Sequence, residues 1–231
     1  MAVEAELKLA LPAAQREHAT RVLEAIAGGA GRPIRLSNVY YDTPTLDLKR
    51  ARSALRVRLA GDRWLQTFKS GGGAQGGLHR RHEWEMPVAG DGLERDALIA
   101  AVERDLAAAH ASSSAAHDAE HASLSAALQT LRDAFATLGP LFRTDFTRTL
   151  WNVTEGDAQI EIGFDDGEVI AGDALHRRTL PILEIELELK RGDESALERL
   201  AARLRERIPG LAADDVSKAE RGYRLIDATP R

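Results

Sequence analysis

A chain of 231 residues and 25.1 kDa is long enough to bury a substantial core as one domain. Its 36 acidic and 31 basic residues leave a formal net charge of -5, which excludes nucleic-acid binding by bulk charge; the absence of cysteine excludes disulfides, thiolate nucleophiles and Cys-ligated zinc. No apolar run reaches the ~18 residues of a membrane span. Glu4 and Glu6 stand where a secretory leader would need a basic and then an apolar region, so the cytoplasm is the expected location.

Residues 3–11 alternate as a strand, with Ala5, Leu7 and Leu9 opposed to Glu4, Glu6 and Lys8, and Pro12 ends it. Ala13 to Ala27 carries Val22, Leu23 and Ile26 at helical spacing before Gly28-Gly29. A short strand at Ser37–Tyr41 closes on Asp42-Thr43-Pro44. Ser53–Leu59 sets Arg56 and Arg58 against Leu55, Val57 and Leu59, and Gly61-Asp62 turns it into Arg63–Lys69 as a hairpin. Gly71–Gly77 reads as a loosely ordered connection. It leads to a strand at Leu78–Pro87, where His79, Arg81, Glu83 and Glu85 share one face and His82, Trp84 and Met86 the other.

The composition then shifts to alanine. Leu93 to Leu138 reads as a helical hairpin inserted between strands, with its tip at Ser112-Ser113-Ser114 expected to be mobile. Strand character returns at Phe142–Val153 and at Ala158–Asp165, where Asp165-Asp166-Gly167 reads as a turn onto Glu168–Ala171. The last strong strand, Leu183–Lys190, carries Glu184, Glu186 and Glu188 on one face. Glu184, just after Pro181, reads as a rim acid. A helix at 194–207 follows, and then Ser217-Lys218 near the end.

Strands with carboxylates on every second residue set like charges ~6 to 7 Å apart along one face. The opposite faces carry Phe68, Trp84, Phe164 and many aliphatic residues, which need the helices at 13–27, 93–138 and 194–207 as cover. Helices outside and charges inside imply a closed sheet with a polar interior. Its expected contents balance: Glu4, Glu6, Glu83, Glu85, Asp165, Glu186 and Glu188 against Lys8, Arg56, Arg58, Lys69, Arg81, Arg148 and Lys218. Such a set suits a polyanion accompanied by hard divalent cations. Gly71-Gly72-Gly73 is not a P-loop, since no Gly-Lys-Ser/Thr follows. His79 and His82 lack the spacing of a metal pair, and Trp64 and Trp84 read as wall packing.

Glu4-Ala-Glu6-Leu-Lys8 resembles the ExExK signature of the CYTH domain, the adenylyl cyclase and thiamine triphosphatase group also called triphosphate tunnel metalloenzymes. Leu55-Arg56-Val-Arg58, Gln66-Thr67-Phe-Lys69, Arg81-His-Glu83-Trp-Glu85, Ile160-Glu161-Ile-Gly-Phe-Asp165, Glu184-Ile-Glu186-Leu-Glu188 and Ser217-Lys218 extend the resemblance nearly from end to end. It implies an α+β fold: a closed eight-stranded antiparallel barrel, a single domain over 1–231 with the helical insertion at about 93–138. By the same resemblance, Glu4, Glu6, Glu186 and Glu188 match metal ligands for Mg²⁺ or Mn²⁺, with two ions at turnover. Lys8, Arg56, Arg58, Lys69, Arg148 and Lys218 match triphosphate contacts, with Arg81 and Arg143 as further candidates. Glu83, Glu85 and Asp165 match acids near the second metal or the attacking water.

The stretch Leu141-Phe142-Arg143-Thr-Asp-Phe-Thr-Arg148 and the insertion look most like bacterial inorganic triphosphatases, which are often followed by a helical, histidine-rich CHAD domain. Either this is a lone CYTH protein or such a domain lies beyond Arg231. The expected substrate is tripolyphosphate, cleaved to pyrophosphate and orthophosphate, with no nucleic acid or membrane partner and with monomer and homodimer both open. Hydrolysis of an organic triphosphate (thiamine or nucleoside triphosphate), adenylyl cyclase activity and a non-catalytic polyphosphate-binding module are the alternatives.

Overall fold

Alternating residues become two-faced strands in the computed structural model, which describes residues 3–110, 115–173 and 175–227. The strands are β1 (Val3–Ala10), β2 (Arg32–Asp42), β3 (Ala54–Ala60), β4 (Arg63–Gln75), β5 (Leu78–Pro87), β6 (Gly139–Glu155), β7 (Ala158–Ala171), β8 (Arg178–Arg191) and β9 (Ala212–Ala213). The helices are α1 (Arg16–Ala27), α2 (Asp47–Arg50), α3 (Arg95–His110), α4 (Ala115–Ala134), α5 (Ser195–Arg207) and α6 (Lys218–Asp227). Hydrogen bonding gives the order β5-β4-β3-β2-β6-β7-β8-β1-β9, and β5 also pairs with β1. Eight strands therefore close on themselves as an antiparallel α+β barrel topology, and β9 is a short addition to β1.

The chain divides into two compact units. One, the insertion unit, contains Asn38–Gly72 and Arg81–Arg143; the other, the terminal unit, contains Glu4–Ser37, Gly73–Arg80 and Thr144–Arg231. In the terminal unit, Leu7 and Leu9 of β1, Ile160, Ile162 and Phe164 of β7, and Ile185 and Leu187 of β8 form one buried apolar face. Ala19, Val22 and Leu23 of α1 cover it, with Leu197, Leu200, Ala201 and Leu204 of α5 at helical spacing. Gly28, at φ 77, ends α1 by donating its N–H to the Glu24 carbonyl, a backbone position that favours glycine.

The insertion unit repeats the plan with other helices. Leu55, Phe68 and Trp84 of β3, β4 and β5 pack against Leu98 and Val102 of α3 and Leu124, Leu128 and Leu131 of α4. The alanine-rich insertion is thus the apolar cover that the strands required. Its serine tip, 112–114, lies outside the described residues.

Two expectations are corrected by the pairing. Asp165-Asp166-Gly167 is not a turn: β7 continues to Ala171, paired to β8, and Ile170 resumes the buried apolar face of Ile160, Ile162 and Phe164 while Val169 is buried on the opposite face. Gly71 and Gly72 lie within β4 rather than in a loose connection, and their positive φ values of 69 and 73 show why glycine is used there.

Candidate functional site

The charged faces of β1, β7 and β8 are set by register. Glu188 stands opposite Glu6 on one side and opposite Glu161 on the other; Glu186 stands between Lys8 and Gly163; Glu184 stands between Ala10 and Asp165. Successive rows therefore change from three acids to a mixed set within one strand, and the two parts differ in how their charge is met.

At the inner rows, Asp165, Glu184 and Glu186 are all buried, and one oxygen from each lies within 4.8 Å of the others. That spacing suits a metal ion, but a protein cation already fills it. The Lys218 ammonium lies 2.5 Å from Asp165 Oδ2, donates to Glu186 Oε1 at 2.7 Å and also bonds Glu184 Oε1. Lys8 Nζ approaches Glu184 Oε1 at 3.4 Å and Glu186 Oε1 at 3.5 Å. Arg148 donates from Nε to Asp165 Oδ1 at 2.7 Å and from Nη2 to Asp165 Oδ2 at 2.6 Å, and reaches Glu186 Oε2 as well. Arg221 closes the set, 2.6 Å from Glu184 Oε2 and 2.5 Å from Asp214 Oδ2. Four carboxylates thus meet four cations in a buried knot.

The electrostatics follow. Burial alone would raise the Glu186 carboxyl, but Arg148, Lys218 and Lys8 hold it well below the usual carboxylate range. Burial opposes the charge on Lys218 and Arg148, and the surrounding carboxylates override it and push both upward. Gly163 makes room for this geometry: a Cβ there would stand 3.2 Å from Arg148 Nε and 3.3 Å from its Cζ. Phe146 lies beneath the same cations, its ring centre 5.0 Å from Lys218 Nζ and 5.9 Å from Arg148 Cζ.

The outer row behaves differently. Burial, together with Glu4 and Glu161, pushes the Glu188 carboxyl up, against the opposing effect of Lys190. Lys190 lies 2.6 Å from Glu188 Oε1 and 3.4 Å from Glu161 Oε1. Glu6 is 5% exposed, and its Oε1 is buried without a hydrogen-bond partner. An acid-rich row with an orphaned carboxylate oxygen is the place in this unit where a divalent cation fits the residues present.

The insertion unit carries a looser, basic array. Arg58 Nε donates to Asn38 Oδ1 at 2.8 Å, and Arg56 reaches Thr67 Oγ1 and the Tyr40 hydroxyl at 3.3 and 3.4 Å. Their ion pairs are long: Arg56 lies 4.0 Å from Glu83 and 3.8 Å from Glu85, and Arg58 lies 3.7 Å from Glu85. Lys69 pairs with Glu83 at 3.1 Å. Burial would raise the Glu85 carboxyl, yet Arg58, Arg56, the Thr67 hydroxyl and Lys69 lower it. Three cations thus face two carboxylates, an excess of positive charge in this array. Arg81 is half-buried on β5, while Arg143 is exposed on β6.

Glu184 is therefore corrected from a rim acid to a fully buried one, at 0% exposure, because β8 begins at Arg178 and the residue falls mid-strand. Lys218 comes from the first turn of a helix rather than from a strand. Ser217 Oγ accepts the Glu220 N–H at 3.1 Å, so Ser217-Lys218-Ala219-Glu220 has the spacing of a helix start. That spacing also puts Arg221 one turn after Lys218, on the same side of α6. The sequence reading missed Arg221 and Asp214 because neither lies in an alternating charged strand. His79 is buried with Nε2 3.1 Å from the Asp214 carbonyl, and Trp84 packs in the insertion core.

With this geometry in view, comparisons place the chain among known proteins. The CYTH domain family profile matches residues 2–223. An inorganic triphosphatase of Haemophilus influenzae is 32% identical over 193 residues, which cover 82% of this chain and 46% of that protein; the chain spans about half the length of that relative. A solved putative adenylyl cyclase from Hippeastrum, described as having a dominant triphosphatase activity, is 20% identical with a TM-score of 0.57, covering 96% of this chain and 95% of that one. A putative adenylate cyclase from Bacillus halodurans is 17% identical with a TM-score of 0.52, covering 95% and 96%. These two likenesses concern the fold. Taken with the family match over nearly its whole length, the ordered ExExK, paired-arginine and late ExExE strands identify the chain as a member of the CYTH domain family.

Proposed function

We propose that this protein is a metal-dependent hydrolase of inorganic triphosphate that releases pyrophosphate and orthophosphate. The observation that carries the reading is the division of charge: an acid-rich row at Glu6, Glu188 and Glu161, a neutralised knot beside it on the same strands, and a basic array at Arg56, Arg58 and Lys69. The similarity to the Haemophilus influenzae inorganic triphosphatase supports it.

In this reading Glu4, Glu6 and Glu188 would hold a divalent cation, Mg²⁺ or Mn²⁺, with Glu186 as a further ligand. The bound cation supplies Lewis-acid neutralisation of phosphate charge. Two such ions would be bound at turnover. Lys8, Arg148 and Lys218 would bind phosphate oxygens by exchanging part of their contact with Asp165, Glu184 and Glu186 for the triphosphate. Arg56, Arg58 and Lys69 are proposed as further phosphate contacts, with Arg81 and Arg143 as additional candidates. Arginine forks suit the paired oxygens of a phosphoryl group.

Glu83 and Glu85 accept hydrogen bonds from the attacking water. A carboxyl held low, as that of Glu85 is, remains ionised but is a weak base, so its contribution is orientation of the water. Asp165 occupies the Nε and Nη2 edge of Arg148 with both oxygens and so orients that guanidinium. A phosphate-release panel tests the proposal: tripolyphosphate, longer polyphosphate, ATP and thiamine triphosphate, each with Mg²⁺, Mn²⁺ or chelator. Release from tripolyphosphate with metal and none with chelator is expected. Binding without release on every substrate would reduce the protein to a polyphosphate-binding module, and preference for ATP would redirect the assignment to organic triphosphates.

A further inference from the structure

Lys8 and Lys218 share a carboxylate, Glu184, whose other oxygen faces a residue outside every role so far assigned. Arg221 Nη2 lies 2.6 Å from Glu184 Oε2 and 2.5 Å from Asp214 Oδ2, spanning the two acids. Asp214 is itself fixed: its N–H donates to the Lys8 carbonyl at 3.0 Å, and its Oδ1 accepts the Val216 N–H at 2.9 Å. The next residue adds a second tie, as Asp215 Oδ1 accepts the Gly77 N–H at 2.6 Å while the Gly77 carbonyl accepts the Lys8 N–H at 2.8 Å. Gly77, at φ 88, is required here, because a Cβ would come within 2.5 Å of the Lys8 carbonyl oxygen. The backbone of Lys8 and the partner of its ammonium are thus set by one short segment.

We infer that Arg221 is a positioning residue for triphosphate binding, acting through Glu184 to set the reach and available charge of the Lys8 and Lys218 ammonium groups. Glu184 is fully buried, so its negative charge must be met by protein cations. With Arg221 on Oε2, the lysines on Oε1 share only part of that demand. Without Arg221, the whole carboxylate charge falls on Lys8 and Lys218, which are drawn toward Glu184 and away from an anionic ligand. Both contacts come from one nitrogen, Nη2, so a lysine at 221 would preserve charge but must bring its ammonium to the point between Glu184 and Asp214 that Nη2 occupies.

This inference rests on the triphosphatase reading, and the experiment separates the two. Tripolyphosphate binding is measured by titration calorimetry in chelator, where no turnover occurs, with thermal melting recorded for each variant. Wild type is expected to bind; Arg221→Met is expected to bind about tenfold more weakly, the scale on which orienting partners act. Arg221→Lys should fall between them, and Asp214→Asn should weaken binding less than Arg221→Met. In the metal-loaded enzyme the defect of Arg221→Met should appear mainly in KM, since the lysines grip the substrate before and during reaction. If wild type neither binds tripolyphosphate in chelator nor releases phosphate from it with metal, the functional reading fails. If it binds and both Arg221 variants bind equally well, the positioning role is overturned, and a lowered melting temperature with unchanged affinity overturns it too. Should Arg221→Met not fold, full wild-type affinity in Arg221→Lys would overturn the bridging argument.

Discussion

The outer and inner rows of β8 are built from the same residue type on the same face, yet they have opposite electrostatic characters. Glu186 and Glu184 lie among Lys8, Arg148, Lys218 and Arg221; Glu188 lies among Glu6, Glu161 and Glu4, with Lys190 alongside. The tight three-acid group is the one with metal-like spacing, but it is the one already supplied with an ammonium. Proximity of carboxylates is therefore a poor guide to a metal site. The better guide is carboxylate charge that the protein leaves unmet, as shown by the raised Glu188 carboxyl and the orphaned Glu6 oxygen; Glu184 Oε2 also lacks a hydrogen bond, but there the Arg221 guanidinium stands 2.6 Å away.

The sharpest way to break this comparison is to neutralise each row in turn. Glu6→Gln is expected to lower metal-dependent turnover at least about a hundredfold, since a bound cation is worth several kcal/mol to phosphoryl chemistry, while melting without metal stays close to wild type. Retained turnover would remove Glu6 from the metal set. Lys218→Met attacks the knot and should lose about 3–5 kcal/mol of stability by stranding buried carboxylates, read from denaturant unfolding. A mild loss would mean that Lys8 and Arg148 suffice to neutralise the acids.

The pH dependence of stability separates the rows by sign. The Glu186 carboxyl is held low in the folded protein, so it contributes stability present above its ordinary titration range and lost as pH falls through its folded value. Glu186→Gln should thus be less stable than wild type at pH 7, and the gap should close in strong acid. The Glu188 carboxyl is held high, so stability is lost as pH rises through its folded value; Glu188→Gln without metal should be more stable than wild type at pH 7, with the gain vanishing below the ordinary carboxylate range. Chemical denaturation between pH 3 and 7 reads both, and equal signs would erase the distinction. The smallest effect is expected from Gly163→Ala, whose methyl group would displace the Arg148 guanidinium by a few tenths of an ångström. Roughly 1 kcal/mol of destabilisation and a raised KM for tripolyphosphate are expected; an unchanged KM would show that Arg148 tolerates the shift.

Much of this was legible in the chain itself. Strict alternation in β1 and β8 placed the carboxylates on one face, and the apolar faces of Phe68, Trp84 and Phe164 called for the helices that cover them. The resemblance of the ordered motifs singled out Lys8, Arg148, Asp165, Glu186 and Lys218, which the fold gathers into one knot. Glu184 was misread because a neighbouring proline suggested a strand end, whereas the extended partner β7 carries the pairing past it to Ala171 and Arg178.

The sequence by itself determined which residues share a face, because side-chain alternation is a local property of extended backbone. Only the tertiary structure decided which charges are met and by what. Register set Glu188 between two acids and Glu186 between Lys8 and a glycine, and α6 brought Lys218 and Arg221 from more than thirty residues away to the buried acids of β8. Charge compensation depends on distance and burial in space, and alternation along a single strand carries neither.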